Sequence, residues 1–368
     1  MDFRKLTEYL NHMPGEGVPG LELAVWMDHQ PVYRHRAGQV RGGETYWLFS
    51  VTKVLTMTVL MRLIEMGTLH LSDPVAHYLP EFGRLTVRDG DSVRPARTVL
   101  TLEHLMAMQG GLDYDQDTPA IRQTLAETDG KADTVRLASC FSKKPLLFDP
   151  GMGFRYSLCH DAAGACAVAA TGKPLSVLAR ELVTEPLWIR DLTFHPDGNQ
   201  LARLSPLYTL DQDGKTVPTE NRRGGLADLP NYESGGGGLL GDVDSCMLLA
   251  DALACGGMGR SGARILTLES IDNMRTNRQS GPSMEDFRRV RHKRGYGYGL
   301  GVRTLMDQST SKSPIGEFGW DGAAGAWMMM DPKHRIAAFY AQHVLNMNRA
   351  YYEFHPAIRD LIYNGIGL

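Results

Sequence analysis

No run in this chain approaches the roughly 20 consecutive apolar residues that a membrane-spanning helix needs, and the opening MDFRKLTEYLNHMPGEG lacks the apolar core of a signal peptide. The expectation is a cytoplasmic protein with no membrane partner. Net charge is almost absent as well, since 39 Lys and Arg against 42 Asp and Glu leave −3, so electrostatics gives no case for nucleic acid as a partner. Cysteine is scarce, with five residues (Cys140, Cys159, Cys166, Cys246 and Cys255) and no C-x-x-C spacing. Buried free thiols fit better than a disulfide framework. Two motifs are also missing: without G-x-S-x-G an α/β-hydrolase nucleophile has no candidate, and without H-E-x-x-H the twelve histidines offer no zinc-protease helix.

What the chain does have is 43% hydrophobic and 22% charged residues over 368 positions, enough for a globular protein with a large core. A helix is expected at about 2–13, followed by two partly alternating runs around DHQP that read as a β-hairpin. A long apolar helix begins near Ser50 and should stop at Gly67, a natural C-terminal cap. Helices separated by Pro-, Gly- and Asp-rich loops then run to about residue 230. Strand patterns return in YGYGLGVRTLM and on either side of DPKHR, and a last helix is expected at about 351–364. Strands near both ends with helices between them imply an α+β fold, with one sheet domain from residues 1–67 and 235–368 and a mostly helical insertion at 68–234.

The chemistry-bearing feature is S-V-T-K at 50–53, at the start of a segment that is apolar nearly all round. Ser50 and Lys53, three residues apart, share a helix face, so hydroxyl and amine can meet. Burial disfavours the charged form of a lysine and is expected to lower the pKa of Lys53, making it a base for Ser50. The helix N-terminus would favour the negative charge of acyl transfer. A capping serine with a snorkelling lysine is the plainer reading of the spacing alone. A second S-x-x-K, Ser309 to Lys312, lies in a polar loop with nothing to desolvate its lysine. GGGLLG at 236–241 matches a dinucleotide-binding pattern but follows NYES rather than a hydrophobic strand, so a close backbone approach beside a site is the better reading.

With S-x-x-K on a buried helix, TLEHLMAMQGGLDY, FDPGMGFRYSLCHDAAGACAVAATGKPL, TEPLWIRDLTF, SGGGGLLGDVDSCMLLADAL and YGYGLGV follow in order. Over most of its length the chain resembles the serine hydrolases related to class C β-lactamases, including penicillin-binding proteins and esterases of that fold. The resemblance implies a β-lactamase/transpeptidase-like fold, with an antiparallel sheet flanked by helices. It implies Ser50 as acylated nucleophile, Lys53 as its proton-sharing partner and Tyr156 as general base. A third motif would fall at Trp320, Asp321 and Gly322, with the backbone N–H groups of Ser50 and Ala323 as oxyanion hole. Trp320 and Tyr114 are candidates for shaping the substrate pocket, and Gly322 for letting the strand approach the site.

Two departures from the family pattern bear on substrate. Leu158 stands where the tyrosine motif usually ends in Asn, and Trp320-Asp321 replaces the cationic third box that helps hold a substrate carboxylate. An inward Asp321 would repel an anion. A competing K-x-G at Lys293–Gly295 would restore a cation but sits in the basic run RRVRHKRG, which reads as a solvated loop. The expected function is a serine hydrolase acting on small-molecule acyl substrates, first of all a carboxylesterase, needing no metal or organic cofactor. A β-lactamase or D,D-peptidase, a D-amino-acid amidase or aminopeptidase, an acyltransferase and a non-catalytic binding protein are the alternatives.

Overall fold

The computed structural model describes residues 1–291 and 293–368. A seven-stranded antiparallel sheet organises it. From one edge its strands run Tyr296–Tyr298, Arg303–Leu305, Phe318–Asp321, Trp327–Asp331, Ile336–Ala341, Gly20–Met27 and Gln30–Gly38. The two ends of the chain therefore meet mid-sheet, where Glu22 to Met27 pair with Ala341 to Ile336. The hairpin turns at Asp28 and His29, both with positive φ (50° and 67°), the geometry of tight two-residue hairpin turns.

Burial follows from what covers each face. Gly20–Met27 and Ile336–Ala341 are buried almost throughout, as strands covered on both sides must be, whereas the edge strand Gln30–Gly38 is largely wet. The terminal helices Arg4–His12 and His355–Ile366 cover one face, packing Leu6, Leu10, Ile358 and Ile362 against Val25, Trp327 and Met329. The other face carries a larger core containing the helix Thr52–Glu65. That helix is buried on nearly every side and ends with Gly67 at φ 70°.

Residues 68–234 hold the helices Leu102–Met106, Pro119–Glu127, Thr134–Ser139 and Cys159–Thr171, and also the short strand pair Thr86–Asp89 and Ser92–Pro95. Thr118 caps its helix through Ile121 N with Pro119 at the first position, and Asp133 caps the next through Arg136 N. Thr45–Trp47 and Leu192–Thr193 both pair with Leu240–Asp242, which stitches the early, middle and late segments together. The basic run RRVRHKRG is helical through Arg291 rather than a loop, and His292 lies outside the described residues. Among the described residues no single helix is long and apolar enough to cross a membrane.

One close approach sets the position of the site. A Cβ on Gly322 would lie 2.4 Å from the carbonyl oxygen of Leu48, two residues before Ser50, so only glycine lets the end of strand Phe318–Asp321 press against the Ser50 segment. Gly322→Ala is expected to lower stability by about 1–3 kcal/mol as strand and turn are forced apart. A drop in the urea midpoint at unchanged m-value is the expected reading.

Candidate active site

Ser50 sits in a single 3₁₀ turn, Phe49–Val51, that runs directly into the helix Thr52–Glu65. Phe49 holds φ at 45°, a left-handed conformation costly for an aromatic residue and fixed here immediately before the serine. Lys53, with no exposed surface, points back along the helix so that its Nζ donates to Ser50 Oγ at 3.2 Å. It also donates to Tyr114 OH at 3.2 Å and to the carbonyl of Gly236 at 2.6 Å, and lies 4.7 Å from the centre of the Tyr156 ring.

The charge state of Lys53 departs from the sequence expectation. Burial pushes its pKa down, as expected, but the oxygens of Tyr114 and Tyr156 and the carboxylate of Asp161 outweigh burial and hold it above the ordinary lysine range. Lys53 is therefore a buried ammonium with several partners rather than a neutral amine. The Tyr114 hydroxyl, beside this cation, is itself pushed up by burial, with Lys53 opposing. Tyr114 is 40% exposed as a residue, but its hydroxyl faces the lysine.

Tyr156 and Tyr114 pack with ring centres 5.6 Å apart, and Tyr156 stacks on Trp320 at the same separation. The indole Nε1–H of Trp320 donates to Tyr156 OH at 3.1 Å. The Tyr156 oxygen thus accepts from an indole, and its ring lies over the Lys53 ammonium. Tyr298 meets the other side of Trp320 edge-on at 5.0 Å and locks the indole in place.

Asp321 does not line this side, which corrects the expectation that it helps bind substrate. Neighbouring residues of a strand point to opposite faces, and Asp321 pairs across the sheet with Trp327 of the other core. Its carboxylate meets Lys293 Nζ at 2.6 Å and Arg303 Nη1 at 3.2 Å. Burial would raise its pKa, but these two cations hold it well below the usual carboxylate range. The competing K-x-G is resolved by the same contact, since Lys293 serves Asp321. The second S-x-x-K is fully wet, with Ser309 and Lys312 both exposed.

Ala323 lies exposed on the turn after Gly322, closed by Gly322 N to Ala326 O at 2.8 Å and Gly325 N to Gly322 O at 2.9 Å. The carbonyl oxygens of Gly322 and Ala323 both lie 2.9 Å from the hydroxyl of Tyr351, which donates to them. In a trans peptide the N–H points opposite to the C=O. Anchoring the Gly322 carbonyl therefore fixes the direction of the Ala323 N–H.

The geometry now on the page is a serine, a lysine and a tyrosine converging on a glycine-edged strand. The sequence pattern of the Beta-lactamase family matches residues 4–360. The chain belongs to the Beta-lactamase family. It is 29% identical to esterase EstB of Burkholderia gladioli over 329 residues, 80% of this chain and 76% of EstB. Among solved structures it superposes on EstCE1, described as a hydrolase with promiscuous acyltransferase activity, with a TM-score of 0.80 at 23% identity, covering 98% of each chain. It also matches simvastatin synthase LovD of Aspergillus terreus with a TM-score of 0.79 at 20% identity, over 99% of this chain and 98% of that one. These two likenesses show the fold.

For a Beta-lactamase family member with Leu158 in place of an amide, something else must hold the lysine, and here sequence reasoning missed Asp161. It is buried on the helix Cys159–Thr171 and accepts from Tyr232 OH at 2.9 Å and Ser234 Oγ at 2.6 Å. The backbone N–H of Gly236 is a further donor to it. A Cβ on Gly236 would come within 2.4 Å of Asp161 Oδ2 and 3.4 Å of Lys53 Nζ, so the glycine run allows its backbone to slot between carboxylate and ammonium. The H-D step after YSLC was the available signal, because an acidic residue in so apolar a helix needs a partner.

Two outcomes are expected. With the Ala323 N–H as the proposed oxyanion donor, Tyr351→Phe should lower kcat for an acyl substrate several-fold with little change in KM, because the orientation of such a donor matters in the transition state and not for ground-state binding. The second concerns His160, which is buried beside this cluster with Nε2 bonded to Met106 O at 3.0 Å and Nδ1 unpartnered among the described residues. Burial, and then the Lys53 charge, depress its pKa to about 3. The unfolded chain therefore binds a proton that the folded one refuses between about pH 6.5 and 3, so stability falls as pH drops through that window. His160→Gln should flatten the loss by up to a few kcal/mol, read from urea unfolding at pH 7 and pH 4.5.

Proposed function

We propose that the chain is a carboxylesterase that works through an acyl-enzyme on Ser50. The observation that carries this reading is the aromatic wall Tyr114–Tyr156–Trp320. At the third-motif position the site offers an indole, while the nearby cations Lys293 and Arg303 are committed to Asp321. A neutral acyl group suits that surface, and a carboxylate-bearing substrate loses the ion pair it would otherwise make. The esterase name of the 29% identical relative supports the same reading.

In the proposed reaction Tyr156, with its oxygen supported by Trp320 and Lys53, takes the Ser50 Oγ proton as that oxygen attacks the ester carbonyl. The oxyanion is held by the backbone N–H groups of Ser50 and Ala323. Collapse expels the alcohol, which receives the proton from Tyr156. Water then repeats the sequence in reverse and frees the carboxylic acid. Lys53 remains an ammonium throughout and keeps the tyrosine oxygen acidic. No metal or organic cofactor is required by these steps.

Acyl transfer is the second reading. Of two structural neighbours, one is described as a hydrolase with promiscuous acyltransferase activity and the other as a synthase, and an alcohol in place of water at the deacylation step would give acyl transfer from the same acyl-enzyme.

The test is kcat/KM for p-nitrophenyl butyrate with wild type and Ser50→Ala, matched for folding by circular dichroism. A loss of about 10⁴-fold or more is expected, since the nucleophile and its partners act as a unit. Equal rates would remove Ser50 as nucleophile. Inactivity of both, with reaction of wild type but not the variant toward a covalent serine probe, would shift the substrate from esters to amides or β-lactams.

A further inference from the structure

Far along the fold from the Ser50 cluster, the Asp28–His29 hairpin turn packs on the C-terminus of the helix Val243–Ala254. Donor atoms of Asp28, His29 and Cys255 all lie within 4.8 Å of one another there. We propose that these three residues form a divalent metal site, best suited to zinc, with Asp251 orienting the histidine.

Four observations converge on this place. The donor set is the first: an imidazole, a thiol and a carboxylate in one cluster match, once the thiol is ionised by the metal, the borderline-soft preference of Zn²⁺ and suit neither Mg²⁺ nor Ca²⁺. The second is the support behind the histidine. Asp251, fully buried in the last turn of its helix, lies 2.7 Å from His29 Nδ1 and accepts from His29 N at 3.2 Å. A carboxylate bound to a ring nitrogen fixes the orientation of the imidazole, the kind of support that metal-ligating histidines have. Third, Cys255 is the residue at which the helix ends, so a bound cation would sit at the negative end of the helix dipole. The fourth is the backbone, since the tight two-residue turn places Asp28 and His29 side by side at the end of the hairpin that meets this helix.

Asp28 pairs with Arg335 at 2.8 Å, but both side chains are more than half exposed and Arg335 can swing into solvent. Cys255 Sγ lies 3.8 Å from Asp251 Oδ1 as a weak donor. On binding, Cys255 releases its thiol proton to solvent, the three ligands close from their present spacing onto the ion, and water takes the fourth position. The consequence is a clip joining the β-hairpin to the helix, independent of acyl chemistry.

The test is a titration of the metal-free full chain with Co²⁺ and with Zn²⁺. With Co²⁺ a sulfur-to-cobalt charge-transfer band saturating at one equivalent is expected, and Zn²⁺ should displace it. Cys255→Ser should abolish the band, His29→Ala should weaken Zn²⁺ binding at least about tenfold, and Asp251→Asn should weaken it by about 10- to 100-fold as an orienting residue. Because Asp251 is buried and its variant may lose the fold, Asp28→Ala on the exposed turn provides a second check and should also weaken binding. Ester turnover should stay unchanged in Asp28→Ala and Cys255→Ser. Absence of the charge-transfer band in folded wild type, or Zn²⁺ binding of equal strength in wild type and a His29→Ala/Cys255→Ser double variant, would overturn the site.

Discussion

A lysine ammonium with no exposed surface is the constraint on which the rest of this structure depends. Removing such a charge from water costs several kcal/mol even after relaxation, and it is tolerated only when every proton finds a partner. The three donors of Lys53 go to Ser50, Tyr114 and the Gly236 carbonyl, with Tyr156 and Asp161 adding negative potential. These partners come from widely separated stretches of chain. Satisfying one charge therefore obliges the serine turn, the Tyr114 loop, the Tyr156 segment with the helix Cys159–Thr171 after it, and the glycine run to be in place together, so the stability of the core and the geometry of the site are the same problem.

The sequence made the local half of this legible. Ser50 and Lys53 are three residues apart on a helix whose apolar pattern declares its burial, and the hairpin, the closing helix and the late strands all follow from periodicity and turn residues. The charge state of Lys53 was not legible, because it is decided by the oxygens of Tyr114 and Tyr156 and then by Asp161, 108 positions away. Pattern reading saw the desolvation and not the partners. The orientation of Asp321 was hidden for a related reason: strand alternation says that Trp320 and Asp321 face opposite ways, but which faces the serine depends on the pairing of Asp321 with Trp327 and on Lys293 and Arg303.

That strand separates two chemistries. On one face Trp320 completes an aromatic wall, and on the other Asp321 pairs with Lys293 and Arg303. Arg303 also pairs with Glu317, and stacks near Tyr296 and Trp327, so its charge is shared out among neighbours and does not reach across the strand. The substitution of Trp-Asp for a cationic pair thus changes both faces at once. An indole replaces a lysine toward the serine, and a carboxylate recruits basic residues to the far side.

The proposed acyl chemistry follows from where protons can move in such a network. A lysine held above its ordinary pKa is a poor base but an effective fixed charge, and a fixed charge beside a phenolic oxygen lowers the cost of ionising a group whose free pKa is about 10. The indole of Trp320 donates to the same oxygen and cannot take a proton from it, because an indole N–H has no acceptor role. In the proposed reaction the serine proton therefore goes to Tyr156. In this arrangement the acid limb of the pH–rate profile belongs to the tyrosine–lysine pair as a unit rather than to either residue, since each sets the other's affinity for the proton.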